Sequence, residues 1–315
     1  DAARLDALAA WLRDEAAAGA VAVAFAEANG WGGGASHGQT LLQERCAAAS
    51  FAYSSFEGFN DAHPYALAVC STAPIRRLAA RGPADGFERG VLAVATGGLR
   101  LVVAHLDAHS AAKRRGEASK LAALIGGLEA DEAGPLLLLG DFNTLSRVAT
   151  DEAAVLRWLD ALDAVPHGLD LRRKFADASG SKIDFEPFDI LQTAVGHDLC
   201  DAACGPTIPT GLLPDAPEVP EGRRQIGLRP DGALSNGAFQ AFSPNASVRR
   251  DALTDRMSDH RPIRVSWTPK RDGGGEPRSV AHALSFFEPG SWDARLRLTG
   301  PWHRTGPWHR TGPWH

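Results

Sequence analysis

Two short segments of the sequence place acidic, amide and imidazole side chains directly beside apolar, strand-like runs. The first, Leu-Leu-Leu-Leu-Gly-Asp-Phe-Asn, delivers Asp141 and Asn143 at the end of its apolar stretch. Because these residues are two positions apart, both side chains point the same way while the chain stays extended. The second, Ser-Asp-His-Arg-Pro, puts Asp259 and His260 just before the strand-like Ile-Arg-Val. A carboxylate suits a divalent cation and an imidazole titrates near neutral pH, so the two segments indicate metal-assisted hydrolysis.

The strands and helices that must position these residues follow from apolar patterning. A buried strand reads as a short continuous apolar run, whereas a helix repeats its apolar residues every three to four positions. Gly97-Gly98 suits the positive φ of a tight turn, which predicts a β-hairpin whose second strand is followed directly by His105. Besides the apolar run that starts at Leu136, strands are predicted at residues 20–26, 51–56, 65–71, 91–96, 99–104 and 263–267. Helices are predicted at residues 5–18, 40–49, 111–128 and 150–165.

Composition and charge narrow the classes of protein. The 315 residues are 44% hydrophobic and 23% charged, which is ordinary for a globular chain with a sizeable core. The net charge of −5 argues against a broadly basic nucleic-acid surface, although it is compatible with a local basic groove. No window of about 18 apolar residues occurs, so we expect no transmembrane helix. We expect a monomer.

The four cysteines do not form a disulfide framework at this chain length. Cys200 and Cys204 lie close enough in sequence to suggest a metal site or a bridge. We favour small buried side chains for all four.

Polar residues at the ends of predicted strands occur in a recognisable order. They are Glu27, His105, Asp141, Asn143, Asp231, Asp259 and His260. A Glu after the first strand, Val-Ala-His-Leu, Gly-Asp-Phe-Asn, a later Arg-x-Asp and a final Ser-Asp-His resemble the endonuclease/exonuclease/phosphatase superfamily of metal-dependent phosphohydrolases. The resemblance covers about residues 1–267. It implies an α/β fold, a four-layer sandwich of two packed, mostly antiparallel sheets flanked by helices.

The resemblance implies a metal site at two of these residues. Glu27 matches the metal-binding Glu of the family, and Asp259 completes the site, which takes Mg²⁺ or Mn²⁺. Glu44, at the end of Leu-Leu-Gln-Glu, copies the usual spelling of the family more closely. It falls on a predicted helix with no strand leading into it, so we favour Glu27.

The resemblance also implies catalytic roles for four residues. His105 would hydrogen-bond the scissile phosphate. Asp141 and Asn143 would orient the attacking water and the phosphate. His260 would contact the phosphate or relay a proton, with one ring nitrogen fixed by an Asp and the other facing the substrate.

Two aspartates compete for the role of fixing that imidazole. Asp184, in Lys-Ile-Asp-Phe, is closer to the spelling of the family, whereas Asp231, in Arg-Pro-Asp-Gly, keeps the Arg and a trailing strand. Asp231 leaves room for one strand before Asp259, so we favour it. Pro230 and Gly232 depart from the apolar residue and the Tyr of the family, and both weaken strands. We therefore expect a distorted corner there.

The two ends of the chain differ from the family pattern. The family opens with a strand ending in an Asn, and nothing before Leu5 matches it, so we expect that strand to be missing and one sheet edge to be open. From Thr299 the chain repeats Thr-Gly-Pro-Trp-His-Arg almost three times. Such low-complexity sequence cannot build a core. We predict an endonuclease/exonuclease/phosphatase-like domain at residues 1–268 and an extension at residues 269–315 with a disordered end.

The sequence therefore favours a metal-dependent hydrolase of phosphate esters. Its substrate could be a small molecule, a lipid headgroup or a nucleic acid, because fold alone does not choose among them. The alternative is a catalytically weakened member of the fold that binds a ligand without turnover. A dinucleotide-binding protein has little support, since no Gly-x-Gly-x-x-Gly lies between a strand and a helix.

Overall fold

A computed structural model describes residues 2–28, 43–58, 65–162, 168–200, 204–208, 226–268 and 278–284. The strands are β1 (Ala20–Ala26), β2 (Tyr53–Glu57), β3 (Leu67–Ser71), β4 (Ile75–Arg81), β5 (Gly90–Thr96), β6 (Leu99–His105), β7 (Leu136–Asp141), β8 (His197–Asp198), β9 (Asp231–Ser235), β10 (Asn245–Val248), β11 (Ile263–Trp267) and β12 (Arg278–Leu284). The helices are α1 (Ala2–Ala17), α2 (Ala111–Asp131), α3 (Glu152–Leu162), α4 (Gly168–Phe175), α5 (Glu186–Val195), α6 (Gly237–Gln240) and α7 (Thr254–Met257). Residues 43–48 are also helical.

The strands form two six-stranded sheets that pack face to face. Their orders are β10-β11-β12-β1-β3-β2 and β4-β5-β6-β7-β9-β8. The interior between them is apolar and includes Leu139 and Val103 from one sheet and Val265 and Val280 from the other. Each such aliphatic side chain contributes about 1.5–3 kcal/mol when fully buried.

Helices cover the outer faces of both sheets. α1 packs Trp11 against Phe25 of β1, with ring centroids 6.2 Å apart. α2 and α5 cover the other sheet, where Leu121 and Phe188 join the cluster that contains Leu138 of β7. The order of layers is helix, sheet, sheet, helix, and among the strands of the described residues only the β1–β12 and β6–β7 pairs are parallel. The predicted four-layer, mostly antiparallel α/β sandwich is confirmed.

β12 fills a position that the sequence left open. It pairs in parallel with β1 and antiparallel with β11, so that His282 lies beside Ala24 on one side and Ile263 on the other. β1 pairs with β3 on its second side, and the expected open edge is therefore wrong. Residues 278–284, which follow the expected domain boundary at residue 268, form an internal strand of the sheet. The repeat from Thr299 lies outside the described residues.

Both cysteine pairs form disulfides. Cys46 is bonded to Cys70 of β3, with the two Cα atoms 6.1 Å apart, and Cys200 is bonded to Cys204, with the Cα atoms 5.1 Å apart. These separations are ordinary for disulfides. The expectation of unbridged cysteines is wrong. Cys46 and Cys70 are 24 positions apart, and the sequence gives no local sign of their proximity.

Among the helices of the described residues, none is long and apolar enough to cross a bilayer.

Candidate active site

Three of the predicted residues occupy neighbouring positions across β6, β7 and β9. His105 pairs with Asp141, and Asp141 pairs with Asp231. Because β7 is parallel to β6 and antiparallel to β9, its end meets the end of β6 and the start of β9. A Cβ atom on Gly140 would lie 1.9 Å from the backbone oxygen of Ala104, so the glycine allows β6 and β7 to approach this closely.

Glu27 lies at the same end of the molecule, directly after β1. Its Oε1 is 3.6 Å from His105 Nε2, and it accepts a hydrogen bond from Arg89 Nη1. The same Arg89 nitrogen lies 2.5 Å from His105 Nε2 and, since a guanidinium only donates, this ring nitrogen is the acceptor. Glu44, the rejected alternative, is exposed in the helical segment at residues 43–48.

His260 is held by Asp231. Its Nδ1 lies 2.7 Å from Asp231 Oδ2, and both side chains are buried. Asp184, the competing candidate, instead pairs with Arg115 Nη1 at 2.9 Å. The Asp259 carboxylate accepts a hydrogen bond of 3.3 Å from the hydroxyl of the preceding Ser258.

Asp141 lies between His105 of β6 and Asp231 of β9 and so connects the Glu27–His105 group with the Asp231–His260 group. Its Oδ2 is 3.4 Å from His105 Nε2, and its Oδ1 accepts a hydrogen bond of 2.8 Å from the backbone N–H of Asn143. The Asn143 amide donates to the backbone oxygen of Leu106 at 2.9 Å. Asn143 and Glu27 both have positive φ angles, 51° and 55°, which non-glycine residues adopt rarely and often at functional sites.

Burial and mutual charge shift the acid–base properties of the cluster. Burial raises the pKa of Glu27 to about 8, although the positive charge of Arg89 opposes the shift. Burial and the charge of Arg89 lower the pKa of His105 to about 3, so this imidazole is neutral. Burial also lowers the pKa of His260, but the charge and hydrogen bond of Asp231 outweigh it and raise the value to about 9.

Asp141 is the carboxylate that these neighbours keep ionised. Burial raises its pKa, but the positive charge of His260 holds it well below its usual range. At neutral pH the cluster therefore contains an ionised Asp141 beside a protonated His260 and a neutral His105.

The donor set fits a divalent cation. Within the described part of the chain, ligand atoms of Asp141, Asp231 and His260 all lie within 4.8 Å of one another. Asp231 Oδ1 is buried and has no hydrogen-bond partner among the described residues. Hard carboxylate oxygens are the ligands that Mg²⁺ prefers. The charge of Asp259 acts on Glu27, so the two residues predicted to bind metal belong to the same cluster.

The corner at Gly232 is regular, contrary to expectation. Gly232 pairs with Gly140, and the flanking Asp231 pairs with Asp141, without a bulge. The ring of Phe142 takes the space that a side chain at position 232 would use. Pro230 donates no hydrogen bond, but its carbonyl accepts one of 3.1 Å from Phe142 N. The two departures from the family are compensated by Phe142.

Four residues around the cluster were missed in the sequence. Arg89 precedes β5, and the hairpin register that puts Gly90 beside His105 was a signal for it. Burial lowers the pKa of Lys174 in α4, although the negative charges of Asp141 and Asp231 oppose this shift. The remaining two are Thr207, which bonds Asp231, and His282, whose buried Nε2 has no partner among the described residues. Neither has a sequence signal.

The fold matches that of a known solved structure. An AP endonuclease from Archaeoglobus fulgidus superposes with a TM-score of 0.55 and 12% identity, covering 83% of this chain and 93% of the other. This chain has the endonuclease/exonuclease/phosphatase fold. That result confirms the fold expected from the motifs.

Other solved structures align with this fold at lower scores. An endonuclease/exonuclease/phosphatase from Beutenbergia cavernae gives a TM-score of 0.47 at 17% identity over 84% of this chain and 75% of the other. A 3′ phosphatase NExo variant from Neisseria, bound to product DNA hairpin, gives 0.47 at 18% identity over 78% and 98%. No family model and no curated protein matches the sequence.

Proposed function

We propose that this chain is a metal-dependent hydrolase of phosphate esters that uses water as the nucleophile. The observation that carries the proposal is the paired row of His105, Asp141 and Asp231, with His260 bonded to Asp231 at its end. This row combines an ionised carboxylate, a neutral imidazole and a protonated imidazole in one buried cluster. Those are the acid–base groups that ester hydrolysis needs.

Each group has a role in the reaction. Asp141, ionised at neutral pH, accepts the proton of the attacking water. His260, oriented by Asp231, donates to a phosphoryl or leaving-group oxygen, where negative charge develops. Asn143 and His105 orient the phosphate.

The metal belongs to the same end of the cluster. Glu27 and Asp259 would hold Mg²⁺ or Mn²⁺. The charge of Asp141 also acts on Glu27, so Asp141 would share the site. When bound, the ion supplies positive charge and lowers the pKa of a coordinated water.

Exchanging the Asp141 carboxylate for an amide tests the proposal. Asp141→Asn keeps the shape but removes the proton acceptor, so hydrolysis of bis(p-nitrophenyl) phosphate with Mg²⁺ should fall by a factor of about 10²–10⁴. The matched control is Asp184→Asn, which breaks the pair with Arg115 outside the cluster and should keep its rate. Equal rates in Asp141→Asn and wild type would refute the proposal.

A panel of three substrates tests which class of phosphate ester the chain hydrolyses. A small phosphodiester, a phosphorylated lipid headgroup and DNA with an abasic site are its members, the last because the fold matches an AP endonuclease. The net charge of −5 speaks against extended nucleic-acid contacts. We expect cleavage of at least one member to require Mg²⁺ or Mn²⁺ and to stop in EDTA.

Two features of the fold weaken the alternative function, in which the chain binds a ligand without turnover. It drew on the expected distortion at Gly232 and on the missing strand beside β1, whereas β9 pairs regularly and β12 fills that position. Calorimetry of each panel member with Mg²⁺ separates the two functions. Binding without turnover would favour the alternative.

A further inference from the structure

Asp231 carries a second hydrogen-bond donor besides His260. The hydroxyl of Thr207 donates to Asp231 Oδ2, the oxygen that lies 2.7 Å from His260 Nδ1. Thr207 is fully buried. Because both donors meet the same oxygen, a rotation of the carboxylate that moves this oxygen away breaks both bonds.

The backbone of Thr207 is bonded to the segments on either side. Its N–H donates to Leu228 O at 2.9 Å, and Ile208 forms a pair of backbone hydrogen bonds with Leu228. The carbonyl of Thr207 accepts a hydrogen bond of 2.8 Å from the N–H of Arg261. Since Arg261 follows His260, Thr207 contacts the loop of the catalytic imidazole directly and also through Asp231.

A disulfide anchors the segment that presents this threonine. Cys204, three residues before Thr207, is bonded to Cys200. Cys200 follows β8, and the preceding Leu199 donates to Ala233 O of β9 at 2.9 Å. The bridge therefore ties the segment to the edge of the strand that begins with Asp231.

We propose that Thr207 is a positioning residue, whose hydroxyl holds the Asp231 carboxylate in the rotamer that keeps His260 Nδ1 protonated and Nε2 directed into the site. The proposal rests on the proposed function for its kinetic consequence, but the geometry of the imidazole can be measured without turnover. Groups that orient a catalytic or ligating imidazole change activity by about 10–100-fold when they are removed.

The test uses two substitutions of the full chain. Thr207→Val keeps the volume and removes the hydroxyl, so kcat should fall by about 10–100-fold while KM changes by less than about threefold. Thr207→Ser keeps the hydroxyl and should restore kcat to within about threefold of wild type. Thr96→Val is the matched control, because its buried hydroxyl bonds Ser71 at the far end of the sheet.

The tautomer of His260 supplies a readout that a merely structural role would not move. Long-range ¹H–¹⁵N spectra, recorded above pH 9 where the His260 imidazole is neutral and carries a single proton, should show that proton fixed on Nδ1 in wild type and Thr207→Ser, and exchange broadening or a mixture of tautomers in Thr207→Val. Unchanged kcat and tautomer in Thr207→Val, or an equal loss in Thr207→Ser, overturns the proposal. If wild type hydrolyses nothing, the proposed function fails and the tautomer alone decides the role of Thr207. If Thr207→Val does not fold, the Thr207→Ser and Thr207→Ala pair replaces it under the same criteria.

Discussion

The ring of Phe142 lies over Gly232 and makes this glycine a sensitive point for both stability and activity. A Cβ atom at position 232 would lie 2.1 Å from Phe142 Cε2 and 2.5 Å from Cδ2. Ordinary carbon–carbon contacts are about 3.5–4.0 Å, so the ring would have to move by about 1.5 Å in Gly232→Ala. Overpacking of this kind costs about 1–3 kcal/mol of unfolding free energy.

The same displacement should reach the catalytic row. Phe142 stands between Asp141 and Asn143, and its N–H donates to Pro230 O, so any displacement of the ring that is passed to this backbone also shifts the two neighbouring site residues. At about 2–4 °C per kcal/mol for a chain of this size, we expect Tm to fall by about 2–12 °C. The rate of hydrolysis should fall with it, because a small misplacement of reacting groups is costly.

Calorimetric Tm and the Mg²⁺-dependent rate are the measurements. Gly116→Ala is the matched control, because Gly116 is exposed within α2 and an added Cβ meets nothing within 4 Å. It should stabilise the chain by about 0.5–1 kcal/mol. Phe142→Leu combined with Gly232→Ala should show a coupling of at least about 0.5 kcal/mol. A Gly232→Ala variant as stable and active as wild type would show that the ring does not occupy this space.

Two further predictions concern charge in the cluster. The pKa of His260 is raised to about 9 from an ordinary 6.5, so its protonation stabilises the fold fully below about pH 6.5, and this contribution is lost as the pH rises through 9. We therefore expect Tm, measured in EDTA from pH 6 to 10, to fall more steeply in wild type than in His260→Gln. Parallel curves would contradict the raised pKa. Arg89 contacts Glu27 and competes with a cation for its carboxylate, so at a pH well above 8, where Glu27 is ionised, Arg89→Met should bind Mg²⁺ at least about tenfold more tightly by calorimetry, or about 1.4 kcal/mol, whereas Arg115→Met should not change the affinity. Unchanged affinity in Arg89→Met would mean that Glu27 is not a metal ligand.

Local pattern located many of the strands and helices, but it missed β4, β10, β12 and α5. Apolar runs located β1 and β7, because a strand buried on both faces is apolar throughout, whereas alternating apolar residues located β11. The Gly97-Gly98 turn located the β5–β6 hairpin, and its register implies that the residue before β5 lies near His105. The position of Arg89 was therefore predictable from the sequence.

Long-range pairing was beyond the sequence. Asp231 and Asp184 have similar local surroundings, and only the pairing of β7 with β9 brings Asp231 to His260 while Asp184 goes to Arg115. β12 shows no sign in its own sequence that it pairs with β1. The Cys46–Cys70 disulfide was missed for the same reason, since the proximity of two cysteines 24 positions apart depends on the packed chain, whereas the Cys200–Cys204 bridge was an alternative that the sequence suggested.

The sequence by itself determined which chemical groups the protein has and that they end strands, since strand propensity and apolar periodicity are local properties. The tertiary structure decided which of those groups meet. Asp141 and Asp231 are far apart along the chain but adjacent across two strands, and such contacts form only when packing of the core compensates the entropy of closing the long segment between them. The contact of Thr207 with Asp231, the packing of Phe142 on Gly232 and the position of β12 all depend on that global packing, which no local pattern encodes.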